Sequence, residues 1–378
     1  MTGIDVVWGS QHPQAPKYGY WCTTFFEEFF DPDGPHWKLG VNWCQHDTFD
    51  TLPTGHGAVV VLPGEYQVEF VNELNVLLSS LPWVLLILTA DERSLFDPVW
   101  IEHPNCITWC ASPHRGKQQF DDRTRFIPFF YPPTTRTAFG RVDEDVARPL
   151  RWSFAGQVTH SRRRLAVAAL SEVPNGLLTQ TPGFAKGLKP ADYLRQLALS
   201  ESAPCPSGTS TLDSFRVYEA LEAGAVPILD THCPIEGGDG AEYWNKLLGG
   251  DHPLPMIDQW DDVGRVINDI HDQWPMISFK ARAWWQQYKR RFAYNLADDI
   301  AELGGPTSDV FPVEVVIDPE HHSTVAELEE IIELFRTNPA TALVELTIRF
   351  SGNEDANYLN DVIWACNHLW TNTVPVFA

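Results

Sequence analysis

Residues 204–229, PCPSGTSTLDSFRVYEALEAGAVPIL, decide how this chain is read. A short strand over 203–206 runs into four small residues, Ser207-Gly208-Thr209-Ser210. A helical pattern follows over 212–223, Gly224 closes it, and Ala225 to Leu229 returns as a strand. Strand, loop, helix and strand in that order form a unit of a parallel sheet. Ser210 and Asp213 stand at the Ser-x-x-Asp spacing of a helix start. Small loop residues let backbone N–H groups approach a ligand, and a helix N-terminus carries partial positive charge. The loop therefore suits an anion such as a diphosphate.

On the helix, Arg216 and Glu219 are three residues apart and share one face with Ala220 and Ala223, while Val217 and Leu221 point to the sheet. An arginine offers a forked donor for phosphate oxygens, and a glutamate offers the acceptors that a ribose diol requires. An ordinary exposed ion pair explains an isolated S-x-R-x-x-E. Here the loop, the helix start, the Arg/Glu face and the Gly-x-Val-Pro-Ile return occur together.

Working outward, the same alternation fills the chain. Upstream, WSFAG from Arg151 is a strand entering a glycine turn. Residues 161–170 and 190–199 are helices, and 176–180 a strand. Further back, Ile4 to Trp8, residues 57–62 (GAVVVL) and 83–88 (WVLLIL) are strands, and 69–81 has apolar residues at helical spacing. Residues 106–110 and 125–130 add two strand candidates. A Pro132-Pro133 loop and the charged stretch 141–148 form the linker. Downstream, 278–303 is helical and rich in aromatics. After Gly304-Gly305-Pro306 come a strand (313–317), an acidic helix (324–336), a strand (343–350) and a helix (356–370). The expected plan is two α/β halves, residues 1–149 and 150–304, and a third β-α-β-α unit over 305–378.

The 378 residues include 27 Lys and Arg against 50 Asp and Glu, a net charge of −23. That argues against a binder of nucleic acid or anionic membranes driven by total charge. The first residues, MTGIDVVWGSQHPQ, do not read as a signal peptide, and the longest apolar run is too short to span a bilayer. Seven scattered cysteines read as reduced core thiols of a cytoplasmic protein, with no metal-site spacing. Fifteen tryptophans suit large cores or stacking surfaces.

The segment CPSG…DSFRVYEALEAGAVPIL, with Tyr193-Leu-Arg-Gln-Leu, Ser200, Phe154-Ala-Gly-Gln and Arg162-Arg163-Arg164, resembles the donor-binding half of exostosin-like glycosyltransferases. The resemblance is carried by residues 152–229. It implies an α/β fold of the GT-B type, two facing Rossmann-like domains, here with a small C-terminal α/β appendage. It also implies transfer of a hexose or pentose from a nucleotide sugar, UDP-linked and with inversion, to an acceptor hydroxyl, with no cofactor or metal. By the family's pattern Arg216 serves the diphosphate and Glu219 the ribose. Ser207, Gly208 and Ser214 match its loop and helix start, and Arg162 and Arg163 its basic turn. The membrane anchor of the family's eukaryotic members and its acceptor-side motifs have no counterpart in this sequence.

Inverting transfer needs a base near the acceptor, and parallel sheets place ligands beyond the carboxyl ends of their strands. Glu65 after GAVVVL and Asp91 after WVLLIL are the first candidates, with Glu92 and His12 behind them. Tyr18, Tyr20 and Trp21 suit an acceptor groove or a core. Lys280, Arg282, Lys289, Arg290 and Arg291 interleave with Trp284, Trp285, Tyr288 and Phe292, as in a bridging amphipathic helix with its cations outside. The same cluster would suit a phage or bacterial enzyme that glycosylates a hydroxymethylated DNA base. Glu236 and Asp239 read as an acidic rim rather than metal ligands. A sugar-nucleotide epimerase and a non-catalytic glycan-binding protein are the other two readings.

Overall fold

The computed structural model describes residues 4–8, 43–46, 49–63, 68–89, 96–111, 122–131, 147–183, 186–234, 239–305, 311–317, 344–350 and 373–377. The first unit contains β1 (Ile4–Trp8), β2 (Trp43–His46), β3 (Ala58–Pro63), α1 (Val68–Leu78), β4 (Val84–Thr89), β5 (Cys106–Cys110) and β6 (Thr124–Phe126). Its six strands are all parallel, in the order β2-β1-β3-β4-β5-β6. The unbroken Val59-Val60-Val61 run forms a strand buried on both faces, because alternate side chains point to opposite sides of a sheet. Val59, Val61, Leu85 and Ile87 join one apolar cluster, whereas Val60, Leu62, Leu86 and Leu88 join another with Leu74 and Leu78 of α1.

The second unit contains β7 (Leu150–Gly156), α2 (Ser161–Ser171), β8 (Gly176–Gln180), α3 (Pro190–Ala198), β9 (Ser200–Cys205), α4 (Phe215–Glu222), β10 (Val226–Asp230), α5 (Gly240–Leu248), β11 (Met256–Ile257), α6 (Val263–Asp272) and α7 (Trp274–Glu302). Its strands run parallel in the order β11-β10-β9-β7-β8. In both units the first strand lies between the second and the third. Each sheet therefore has a switch point beside its first strand.

Several boundaries differ from the sequence-based expectation. The strand expected over 203–206 begins at Ser200, whose hydroxyl bonds back to Gln196 O at 2.7 Å. The helix expected over 212–223 begins only at Phe215, so residues 206–214 form a longer loop. The Ser210–Asp213 capping spacing is not used: Ser214 is the N-cap, and Asp213 turns to other partners. Residues 127–130 leave the sheet after β6. Gly224 ends α4 at φ +73°, a left-handed position that favours glycine.

Helix α7 has 29 residues, about 44 Å of helix at 1.5 Å per residue. On the second unit, Trp285 Nε1 and Lys289 Nζ both reach Glu222 Oε1, at 2.7 and 2.6 Å. On the first, Trp109 Nε1 donates to Asp299 Oδ2 at 2.9 Å, and Asn105 Nδ2 to Leu303 O at 2.9 Å. The aromatics Trp284, Trp285, Tyr288 and Phe292 are buried as expected, and Phe292 meets Trp109 edge-on at 4.7 Å. Lys289 departs from the expected outward cations, being buried against Glu222. Two parallel α/β units joined by a returning helix make an α/β fold of the GT-B type.

β12 (Phe311–Ile317), β13 (Val344–Phe350) and β14 (Thr373–Phe377) form a separate parallel sheet in that order. The third strand was not anticipated, and the helices expected over 324–336 and 356–370 lie outside the described residues. Among the described residues no helix is long and apolar enough to cross a membrane. Cys106, Cys110, Cys205 and Cys233 are buried, but Cys44 is exposed rather than a core thiol.

Candidate functional site

The switch point of the second sheet lies between β7 and β9, and its loops are 157–160 and 206–214. Both leave the carboxyl ends of their strands, where open α/β sheets hold ligands. The loop named first in the sequence falls at this point.

Ser207 anchors it. Its N–H donates to Asp230 Oδ2 at 3.2 Å, and its carbonyl accepts from His160 Nε2 and Arg163 Nε, each at 3.1 Å. A Cβ at Gly208 would stand 3.0 Å from the Thr211 carbonyl, so the next turn folds closely over this residue. Asp230, at the end of β10, has no exposed surface and also accepts from His232 N and Trp260 Nε1, both at 3.1 Å. Arg162 pairs with the same carboxylate and donates to Asp258 O at 2.9 Å. Its guanidinium thus braces the site from behind. Arg163 lies against the loop itself, with a second bond to Gln157 O at 3.2 Å.

Arg216 reaches across to β7. One terminal nitrogen donates to Ala155 O at 3.0 Å, and the guanidinium lies 4.8 Å from the centre of the Phe154 ring. Glu219, one turn along α4, has Tyr193 of α3 beside it, and the phenol donates to its carboxylate. Burial, and then Glu219, push the Tyr193 phenol well above its ordinary range. Cys205 ends β9 between them. Burial pushes its thiol up to about 12; Arg216 opposes the shift and Glu219 adds to it. The sulfur therefore stays protonated and serves as packing rather than as a nucleophile.

Four buried polar atoms at this switch point have no hydrogen-bond partner among the described residues: His160 Nδ1, Ser207 Oγ, Ser214 Oγ and Arg216 Nε. Ser214 stands at the N-cap of α4 without capping it, so its hydroxyl is spare. Burial, and next the Arg163 charge, lower the pKa of His160. The ring is neutral at pH 7. With Nε2–H on Ser207 O, its Nδ1 presents a lone pair that accepts a proton donor.

Asp213 is nearly fully buried and joins the two units. Oδ1 accepts from Ser214 N at 2.7 Å and from the Tyr218 hydroxyl at 2.8 Å, while Oδ2 accepts from Phe129 N at 3.0 Å. Phe130, next along, takes a left-handed φ of 50°.

The structure brings Ser207, Gly208, Ser214, Arg216, Glu219 and Arg163 to one place, with Arg162 behind them. Glu65, Asp91, Glu92, His12, Tyr18, Tyr20, Trp21 and Glu236 lie outside the described residues. Asp239 caps α5 through the backbone N–H groups of Ala241 and Glu242. His160 and Asp230 were not anticipated, and Tyr193 and Asp213 were expected only in the helix before the strand and at a helix start. Asp230 carried a readable signal, since it directly follows the AVPIL strand at its carboxyl end.

No family model matches the chain, and no curated protein matches it. A solved structure of the DNA-modifying enzyme β-glucosyltransferase, in the presence and absence of its substrate uridine diphosphoglucose, is similar over 79% of this chain and 100% of that chain. Identity is 10% and the TM-score 0.42.

Proposed function

We propose that this protein is a glycosyltransferase that moves a sugar from a nucleoside-diphosphate sugar, UDP-linked, to an acceptor hydroxyl. The observation that carries the reading is the convergence of unpartnered buried groups at one switch point. Twelve buried side-chain polar atoms lack a partner among the described residues, and four of them belong to these two loops and the helix they feed. Each such group costs about 1–3 kcal/mol when left unpaired, so a polar ligand that pairs several of them gains that energy.

The chemistry of the four is mixed. Arg216 Nε is a cationic donor, and Ser207 and Ser214 donate or accept. His160 Nδ1 accepts from a hydroxyl or an N–H. A diphosphate joined to a ribose and a sugar offers anionic oxygens and several hydroxyl donors along one extended ligand. Arg216 and the start of α4 take the diphosphate, Glu219 takes the ribose hydroxyls, and His160 a donor hydroxyl.

In the reaction, the acceptor oxygen bonds to the anomeric carbon as the carbon–oxygen bond to the diphosphate breaks. The diphosphate leaves with the electron pair, and Arg216 offsets its developing charge. A base from the first unit takes the acceptor proton; Glu65 and Asp91 are its candidates.

A thermal-shift panel of nucleoside diphosphates and their sugars tests the donor class. A UDP-sugar should raise the midpoint in the wild type and fail to do so in Arg216→Ala. No shift from any nucleoside diphosphate would overturn the assignment. The best donor is then incubated alone and with glycan, protein or hydroxymethylated DNA, and products are read by mass spectrometry. Glycosylated acceptor supports transfer, whereas isomerised donor without acceptor would show an epimerase instead.

A further inference from the structure

A second cluster lies on the first sheet, across β1 and its outer neighbour β2. Asp5 is the second residue of β1 and is nearly fully buried. Its direct neighbour on the edge strand β2 is Cys44. Cys44 and His46 are two residues apart on that strand, so their side chains fall on the same face. His46 Nε2 lies 2.8 Å from Asp5 Oδ1, and His56, just before β3, places Nδ1 3.0 Å from Asp5 Oδ2. One oxygen of Asp5, the Cys44 sulfur and one His46 nitrogen all lie within 4.8 Å of one another.

We propose that Asp5, Cys44 and His46 bind a divalent transition-metal ion of the zinc type, with His56 holding the carboxylate from behind. Ligand atoms about 2.0–2.3 Å from a tetrahedral ion stand roughly 3.3–3.8 Å apart, so a small outward turn of His46 opens the space. Thiolate and imidazole together select zinc or cobalt over magnesium or calcium, which prefer oxygen. The remaining ring nitrogen of His46, Nδ1, meets Thr51 Oγ1 at 3.1 Å. Such an outer contact fixes the ring's orientation and directs Nε2 to the metal. On binding, the Cys44 thiol releases its proton to solvent as the metal–sulfur bond forms.

Asp5 precedes the end of β1 by three residues, about 10 Å, whereas His46 is the last residue of β2, in register with Val7, so the ion would bridge β1 and the edge strand. It ties the edge strand and the loop carrying Thr51 and His56 onto β1.

The full-length protein, freed of metal by chelation, is titrated with Co²⁺. One equivalent should produce thiolate-to-cobalt charge-transfer absorption and a tetrahedral visible spectrum, and Zn²⁺ should displace it while Mg²⁺ does not. Cys44→Ser should abolish the charge-transfer band. His56→Gln should keep the band but weaken affinity by about ten- to a hundredfold. In the unmutated protein, Zn²⁺ should slow alkylation of Cys44, located by peptide mass spectrometry, without relying on any variant. A charge-transfer band that survives Cys44→Ser, or Cys44 alkylation indifferent to Zn²⁺, would overturn the proposal. Either result leaves the transferase reading standing, because the two sites share no residue.

Discussion

A methyl group built at Gly156 would stand 2.5 Å from a terminal nitrogen of Arg216 and 3.1 Å from Phe154 Cζ. The nitrogen belongs to the far end of a flexible side chain, so the guanidinium gives way rather than the strand. In moving, it loses the bond to Ala155 O and its place over the Phe154 ring. That part-buried bond from a charged group is worth about 1.5–3 kcal/mol, and replacing glycine returns about 0.4–1 kcal/mol through the unfolded chain. Gly156→Ala should therefore lower folding stability by about 0.5–2.6 kcal/mol. Nucleotide affinity should fall as well. A hydrogen bond from a charged group is worth about 1.5–3 kcal/mol, and about 1.4 kcal/mol is tenfold in affinity, so UDP should bind some ten- to a hundredfold more weakly. Calorimetric titration with UDP measures the loss and urea unfolding the stability. In the Arg216→Ala background the alanine at 156 should add nothing further. If Gly156→Ala bound UDP like the wild type while Arg216→Ala lost affinity, the placement of the guanidinium over Phe154 would be irrelevant. The account of the site would then fail.

Glu219→Ala should narrow the difference in affinity between UDP and its 2′,3′-dideoxy analogue, measured in paired titrations, because the carboxylate is assigned to the ribose hydroxyls. Asp230→Ala strips the acceptor from Arg162, Ser207 N, His232 N and Trp260 Nε1 and leaves a largely buried guanidinium uncompensated. Its expected cost is about 3–5 kcal/mol in urea unfolding. Stability should also fall in mild acid. His160 and His252 both have pKa values lowered from 6.5, burial being the first cause for each. The unfolded chain therefore protonates first. Their contribution is complete above about pH 6.5 and is lost as pH falls toward the lowered folded values. Asp299, raised by burial, acts with the opposite sign. Replacing both histidines by glutamine should flatten the fall in urea midpoint between about pH 7 and pH 5.

The alternation of β-branched runs with 3.6-residue patterns was enough to place most strands and helices, because buried parallel strands leave unbroken apolar stretches such as GAVVVL and VLLILT. The loop of the candidate site was legible for a similar reason: small residues, Arg216, Glu219 and the return strand sit within one short segment. What escaped depended on distance along the chain. His160 looks like any polar residue until its ring is seen on the Ser207 carbonyl 47 positions away. Lys289 reads as surface charge because Glu222 is 67 residues distant. The start of α4 was misplaced because Asp213 spends its carboxylate on Tyr218 and on Phe129, which no local pattern reveals. β2 was overlooked since a four-residue edge strand carries too little pattern.

The carboxylate of Asp213 belongs to both halves of the molecule at once. Any rotation that draws Phe129 away removes a donor from the oxygen pair that also holds Ser214 and Tyr218 at the head of α4. The angle between the units and the order of the loop are therefore linked variables, and linkage is reciprocal. A ligand that stiffens residues 207–214 raises the work needed to part the units, and a change that parts the units weakens that ligand to the same degree. A ligand held by the second unit would then be felt in the first, through the Phe129–Asp213 hydrogen bond and the Phe129–Phe215 ring contact.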